Sequence, residues 1–153
     1  MKPIVPCLWF DNCALGAVRY YVSIFPESVI GRIVLKNPAQ GMTDENVLTV
    51  EFILNGREFM GLNGGNFFAF NEAVSFTVPC GDQEELDHYW RALSEGGEEV
   101  QCGWLKDRYG LSWQVVPENM AELLHSDDPV RAERKMKAML GMKKIVISEL
   151  ESA

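Results

Sequence analysis

The side chain with the clearest potential for chemistry in this sequence is the carboxylate of Glu51. Apolar and polar positions alternate in Val47–Leu54, which predicts a strand with Glu51 on the face opposite to most of its large apolar side chains. If that face lines a cavity, desolvation would raise the pKa of Glu51 and suit it to abstracting a proton. The alternatives are an ion pair with Arg32 or Arg57, or contact with bulk water.

Cys7 and the two histidines are weaker candidates for catalysis. No histidine lies close to Cys7 in the sequence to activate its thiol, and a small buried residue is the more common use of cysteine. His88 is predicted on the outer face of one helix and His125 in the last turn of another. Solvation or stabilisation of a helix dipole is the ordinary role at such positions.

Strand pairing extends the candidate site beyond Glu51. Asn55-Gly56 favours a type I′ hairpin turn, because both residues tolerate positive φ, and this turn would pair Glu51 with Met60. The predicted ligand-binding residues are Cys7, Trp9, Glu51, Met60, Ser75, Thr77, Trp104 and Gln114. The face of Trp104 stays open, because the register through the turn at residues 107–110 could shift by one. Trp113 is predicted to lie in the core.

Two similar sets of elements must position these residues. The first set is a strand, a helix and three strands, predicted at Ile4–Phe10, around Leu15, Val18, Val22 and Phe25, and at Ser28–Leu35, Val47–Leu54 and Arg57–Asn63. The second set is predicted at Val74–Pro79, Gln83–Ser94, near Glu98–Gln101, and at Trp104–Asp107 and Leu111–Pro117. Both follow the order βαβββ, which predicts an α+β fold built from two modules, 3–63 and 73–117. We expect residues 1–153 to form a single domain.

The starts of the two helices carry different signals. Asp11 or Asn12 is predicted to cap the first helix. Asp82 followed by Glu85 is a start of the capping-box type for the second.

The remaining residues, 118–153, are predicted to form a helical tail. A short helix is expected at Glu118–His125, and a second one begins at Pro129 after Asp127 or Asp128 as its cap. Six of the fourteen positive residues lie between 129 and 144 and only Glu133 opposes them there, whereas the rest of the chain has eight positive and twenty-one negative residues. We expect this basic segment to lie against the acidic body or against a second copy of the chain.

Composition excludes several classes of function. The net charge is −8 and no basic stripe covers the body of the chain, which argues against a nucleic-acid partner. The four cysteines form no C-x-x-C pair and are predicted to be free thiols. No apolar run is long enough to span a membrane, and the first residues lack the apolar stretch of a signal peptide, so we predict a cytoplasmic location.

Three segments carry a resemblance to a known family. They are the run EEVQCGWLKDRYGLSWQVVP from Glu98, Pro6-Cys7-Leu8-Trp9-Phe10, and Leu62-Asn63-Gly64-Gly65. Together they resemble the PhnB-like proteins of the vicinal oxygen chelate superfamily, which includes glyoxalases, bleomycin-resistance proteins and extradiol dioxygenases. The resemblance covers about residues 3–147. It implies paired βαβββ modules, a cupped sheet that encloses a small-molecule pocket, and usually a homodimer.

The resemblance also bears on cofactors. Members of this group often carry the label demethylubiquinone methyltransferase, but the sequence has no glycine-rich strand-to-helix loop for S-adenosylmethionine. Metal-using relatives place His, Glu or Gln on the first and fourth strands of each module, and here only Gln114 is suitable at such a position. A mixed site of Glu51, Gln114 and Cys7 would depart from that pattern. We therefore expect no bound metal and no cofactor.

The function expected from these observations is small-molecule binding, without metal, in a pocket between the two modules. The alternative is an enzyme of the same superfamily, either a metal-dependent lyase, isomerase or dioxygenase or a metal-free enzyme that transfers a proton through Glu51.

Overall fold

The computed structural model describes residues 3–153, and the chain divides after Phe70 into two compact units. The first unit contains β1 (Cys7–Phe10), α1 (Ala14–Ile24), β2 (Val29–Leu35), a 3₁₀ turn at Pro38–Gln40, β3 (Val47–Leu54) and β4 (Arg57–Asn63). The second contains β5 (Ser75–Cys80), α2 (Gln83–Ser94), β6 (Glu98–Glu99), β7 (Trp104–Lys106), β8 (Ser112–Pro117), α3 (Met120–Leu124), α4 (Pro129–Gly141) and α5 (Ile147–Ser152). Among these residues no helix is both long and apolar enough to cross a membrane.

The first unit is a four-stranded mixed sheet with one helix on one face. Its strand order is β1-β4-β3-β2, with β1 parallel to β4 and the other neighbours antiparallel. Glu51 pairs with Met60, as the Asn55-Gly56 turn predicted. The buried core on the helix side includes Leu8, Phe10, Leu15, Val18, Tyr21, Val50, Phe52 and Phe59.

The start of α1 differs from the prediction. Neither Asp11 nor Asn12 caps this helix: its N-cap is Cys13, which makes no side-chain cap hydrogen bond. Instead the buried side chain of Asn63, at the end of β4, accepts a hydrogen bond of 2.9 Å from the Ala14 backbone N–H. A residue distant in the sequence therefore satisfies one of the free N–H groups at the helix start.

The second unit repeats the same plan. Its strand order is β5-β8-β7-β6, with β5 parallel to β8. The core between this sheet and α2 contains Val78, Leu86, Trp90, Leu93, Leu105, Trp113 and Val115. The start of α2 is as predicted, since the Asp82 carboxylate accepts from the Glu85 backbone N–H at 2.9 Å and the Glu85 carboxylate accepts from the Gly81 N–H at 2.7 Å.

The turn between β7 and β8 is organised by Asp107, a buried residue. Its Oδ1 accepts from the backbone N–H groups of Tyr109 and Leu111, and its Oδ2 accepts from Trp113 Nε1 at 2.9 Å. Because these bonds set the hairpin register, they place Trp113 in the core, as predicted.

The tail packs onto the second unit. The Gln83 side chain donates to the Ile145 carbonyl and accepts from the Ile147 N–H, and Ile145 is fully buried. Lys135, counted above with the basic segment, is also buried, and its ammonium donates to the Leu123 carbonyl at 2.7 Å. The last helix, α5, was not predicted, and β1, β6 and α3 are shorter than predicted.

Candidate functional site

The helix-free face of the first sheet carries an open groove of about 480 Å³. It is lined by Val5, Val29, Gly31, Arg32, Glu51, Phe52, Ile53, Glu58, Phe59 and Met60. Burial alternates along β3 and β4, so Phe52 and Phe59 belong to the core below while Glu51 and Met60 lie on the groove side. This alternation is what brings charged and apolar side chains together on one open face.

A bulge in the edge strand β2 brings Arg32 to Glu51. Ile30 pairs with Phe52 and Ile33 with Val50, so both Gly31 and Arg32 stand opposite Glu51. A Cβ added at Gly31 would lie 3.0 Å from the Glu51 carbonyl oxygen, which is tight enough to favour glycine here. Because of this extra residue, the side chain of Arg32 reaches the Glu51 carboxylate.

Glu51 and Arg32 form an ion pair at the groove. Arg32 donates to Glu51 Oε1 from Nε at 3.2 Å and from a terminal guanidinium nitrogen. The Glu51 side chain is 41% exposed, so solvent still reaches the pair. Of the alternatives that the sequence left open for Glu51, the structure shows the pair with Arg32.

Two further residues of the predicted site lie on β1. Cys7 stands opposite Met60 and is exposed, and burial of its sulfur against neighbouring atoms raises the thiol pKa, which keeps it protonated and weakly nucleophilic at neutral pH. Trp9 donates from Nε1 to the Gly65 carbonyl at 2.8 Å and meets the ring of Phe68 edge-on. A Cβ at Gly64 would overlap the Trp9 indole, so this tryptophan is held by residues 64–68 and does not line the groove.

The other predicted residues share one face of the second sheet. Gln114 pairs with both Thr77 and Trp104, and its Nε2 donates to Ser75 Oγ at 2.9 Å. This register places Trp104 with Gln114, on the face opposite to the buried Leu105, and so answers a question that the sequence left open. The predicted set thus falls into two groups, one on each unit.

One polar group on that second sheet has no partner. Ser112 Oγ is fully buried and makes no hydrogen bond with the residues that the structure describes. Ser112 pairs with Ser75 on one side and Lys106 on the other. Lys106 forms an ion pair with Glu72 at 2.5 Å, and this hydrogen bond lowers the pKa of Glu72.

The side chains present do not fit a metal ion. Within residues 3–153, no group of three or more His, Cys, Asp and Glu side chains is placed to hold one. His88 is exposed with its ring against Tyr89, and His125 is exposed with Nε2 3.5 Å from Asp127. The single amide of Gln114 supplies too few donors for a divalent cation.

Sequence reasoning missed the part that β2 plays in the groove. The sequence suggests Arg32 only as one possible partner of Glu51, and it assigns no role in the site to Val29 or Gly31. The available signal was Gly31 itself, because a glycine inside a predicted strand often marks a bulge. Such a signal does not say which side chain the bulge directs to the groove.

Two four-stranded mixed sheets, each with a helix on one face and the order βαβββ, define an α+β protein with the glyoxalase/bleomycin resistance/dioxygenase fold, as predicted. Residues 2–116 match the family described as 3-demethylubiquinone-9 3-methyltransferase, and the chain therefore belongs to this PhnB-like family. A search of curated proteins found no match.

Solved structures agree with this assignment. A PhnB protein from Bacillus cereus, provisionally described as a 3-demethylubiquinone-9 3-methyltransferase, is 30% identical with a TM-score of 0.67, and the match covers 75% of this chain and 99% of that one. A protein from Pseudomonas aeruginosa is 17% identical with a TM-score of 0.61, covering 76% and 97%. A gene product from Arabidopsis thaliana is 20% identical with a TM-score of 0.53, covering 77% and 99%. The last two matches show the fold alone.

Proposed function

We propose that this protein binds a small molecule in the groove on the helix-free face of its first sheet. The observation that carries the proposal is the ion pair of Arg32 and Glu51 set among exposed apolar side chains in a groove of about 480 Å³. That volume lies within the ~300–1,000 Å³ usual for ligand sites. A sheet face with no binding role would usually be covered by another element or would carry only polar side chains.

The lining indicates what kind of molecule fits. Val29, Ile53 and Met60 offer apolar contacts, and Val5 extends that surface at the end beside β1. The polar groups are few, as is usual where a small number of charged side chains fix the orientation of a mainly apolar ligand. The ligand is therefore compact and mainly apolar, with one or two polar groups, and no metal or cofactor is required to hold it.

Methyl transfer is not proposed, although the family description and that of the Bacillus cereus protein name it. An S-adenosylmethionine site of the strand-to-helix type needs a glycine-rich loop. Among the described residues, three loops lead from a strand to an α-helix: residues 11–13 and 118–119 have no glycine, and residues 81–82 have one. None of them can bring several backbone N–H groups close to the cofactor in the manner of that motif.

Proton transfer by Glu51 is the second candidate, favoured by one observation. Both hydrogen bonds from Arg32 go to Oε1, so the carboxylate is oriented while Oε2 stays outside the pair. An oriented carboxylate on a groove wall is the geometry that a general base needs. If this reaction occurs, Glu51→Gln should abolish turnover while substrate still binds.

The substitution Glu51→Gln tests the binding proposal. Small compounds that bind the groove are first identified by their shifts of the amide NMR signals of Gly31, Ile53 and Met60. We expect Glu51→Gln to change the affinity of the protein for these compounds. The melting temperature should change little, because an exposed ion pair contributes only ~0–1 kcal/mol. Glu45→Gln, in an exposed loop of the same unit, is the matched control and should leave binding unchanged.

The opposite pattern would remove Glu51 from the site. A lower melting temperature with unchanged binding would mean that the ion pair with Arg32 serves only to hold β2 against β3.

A further inference from the structure

The charges that line the groove do not balance. Glu51 and Glu58 both lie on its wall, and Arg32 is the single cation among the lining residues. Glu58 forms no ion pair within the described part of the chain. Among the described residues the groove therefore carries one uncompensated negative charge, which is part of the net charge of −8 on the whole chain.

The two carboxylates are neighbours on adjacent strands. Glu51 pairs with Met60 and Glu58 with Ile53, so Glu51 and Glu58 are diagonal neighbours on the same face of the sheet. Diagonal neighbours lie roughly 7–8 Å apart, within reach of long side chains and close enough for one ligand group to meet both.

The pair with Arg32 uses only part of the Glu51 carboxylate. Both nitrogens of Arg32 donate to Oε1, and the described residues give Oε2 no hydrogen bond. Because the bulge at Gly31 holds Arg32 beside β3, this arrangement orients Glu51 and leaves Oε2 available as an acceptor. Glu58 adds a second acceptor, which no cation among the described residues occupies.

We propose that the ligand of this groove is a compact organic cation, with a protonated amine or amidine beside an apolar body. The cationic group would donate to Glu51 Oε2 and to Glu58, and the apolar body would lie on Val29, Ile53 and Met60. An anionic ligand would be repelled by the two carboxylates and by the net negative charge of the protein. A neutral ligand would leave the negative charge of the groove uncompensated. This inference rests on the proposed binding function and names its ligand class.

Three compounds of almost the same shape separate the possibilities: benzylamine, benzyl alcohol and benzoate. Each is titrated into the full chain while the amide signals of Gly31, Ile53 and Met60 are followed. We expect benzylamine to bind about fivefold more tightly than benzyl alcohol, the factor that one exposed ion pair supplies, and benzoate to bind most weakly. Added salt should reduce the benzylamine preference.

Variants of Glu58 provide the matched test, because this exposed residue can change without disturbing the core. Glu58→Gln should weaken benzylamine binding more than benzyl alcohol binding and so remove most of the preference for benzylamine. Glu58→Lys should turn the preference towards benzoate. Glu118→Gln, an exposed carboxylate of the second unit, should change neither.

The outcomes distinguish this inference from the function on which it rests. If benzyl alcohol or benzoate shifts the groove signals at least as strongly as benzylamine, the ligand class is wrong but the groove still binds. If all three compounds leave the groove signals unmoved, or shift signals only elsewhere, the binding function fails and the ligand class with it.

Discussion

At the scale of single residues, Asn63 joins three parts of the first unit. Its Oδ1 accepts from the Ala14 N–H at the start of α1, and its Nδ2 donates to the Asp44 and Val47 carbonyls at 2.8 and 2.9 Å. The residue is buried, so without its side chain these three hydrogen bonds would be lost, two of them in the buried interior of the unit.

Asn63→Leu should therefore lower the free energy of unfolding by about 2–4 kcal/mol, since a buried unsatisfied group costs about 1–3 kcal/mol. Urea denaturation measures the change. The control is Asp11→Ala, at the position that the sequence suggested as the cap, which should alter stability by no more than about 0.5 kcal/mol. Equal effects of the two substitutions would contradict the role of Asn63.

Cys80 makes stability depend on pH in the alkaline range. Burial, with smaller contributions from Glu85 and Asp82, raises the pKa of this thiol from 9.0 to about 12. The folded protein then keeps a proton that the unfolded chain loses, so stability is unaffected below pH 9 and falls as the pH rises from 9 towards 12.

The substitution Cys80→Ala should flatten this part of the stability profile. We expect the wild type to lose more stability than the variant between about pH 8 and about pH 10.5, as urea midpoints at the two pH values would show. Cys102→Ala serves as the control for removal of a thiol. Because the backbone at Cys102 lies at φ 60°, the comparison uses only the pH dependence of the stability of this variant and not its absolute stability. Parallel profiles for Cys80→Ala and wild type would mean that the thiol ionises freely in the folded state.

At the scale of elements, the C-terminal helices are part of the second unit. The segment between α4 and α5 runs beside the loop before β7, where the Cys102 and Gly103 N–H groups donate to the Met142 and Lys143 carbonyls, both at 2.8 Å. Ile145 follows directly and is fully buried, whereas Leu140 on α4 is 55% exposed.

Two apolar truncations compare these positions. Ile145→Ala should lower the free energy of unfolding by about 2–5 kcal/mol, because it leaves a cavity in a packed core. In the monomer, Leu140→Ala should cost about 0.5 kcal/mol or less, as surface changes usually do. Thermal unfolding of both variants, at a protein concentration low enough to keep the chain monomeric, measures the difference, and a stability loss at Leu140 as large as that at Ile145 would show that α4 is covered within its own subunit.

At the scale of the whole molecule, the exposed face of α4 combines apolar and basic side chains. Val130, Met136 and Leu140 are each between 43% and 64% exposed, and Arg134 and Lys137 lie on the same helix. The rest of the chain is strongly acidic. We propose that this face contacts a second copy, so that the protein is a homodimer with the commonest symmetry of soluble oligomers.

Light scattering tests the homodimer. Apolar contacts should supply most of the association energy, because exposed ion pairs contribute only ~0–1 kcal/mol each, so added salt should weaken the dimer modestly. The double substitution Met136→Asp with Leu140→Asp should give a folded monomer, whereas Glu133→Gln on the same helix should stay dimeric. Deleting residues 127–153 is a less clean test, because it also removes Ile145 and Leu150 from the core of the second unit. A double variant that remains dimeric would place α4 outside the interface.

Local patterns determined most of the elements of this protein. Alternation in Val47–Leu54 and the Asn55-Gly56 turn were enough to pair Glu51 with Met60, because a two-residue hairpin sets its own register. The start of α2 was likewise predicted, since Asp82 and Glu85 act on backbone groups within the same turn. These contacts join residues close in sequence, so their physics is visible in the sequence itself.

Only the tertiary structure decided which distant residues meet. The bulge that brings Arg32 to Glu51, and the cap that Asn63 supplies to α1 across 49 residues, depend on how strands and helix come together. The face of Trp104 depended on a register that Asp107 sets through hydrogen bonds to the turn and to Trp113. A single sequence shows which side chains can form such contacts, but the partner of each is selected by the packing of the whole unit.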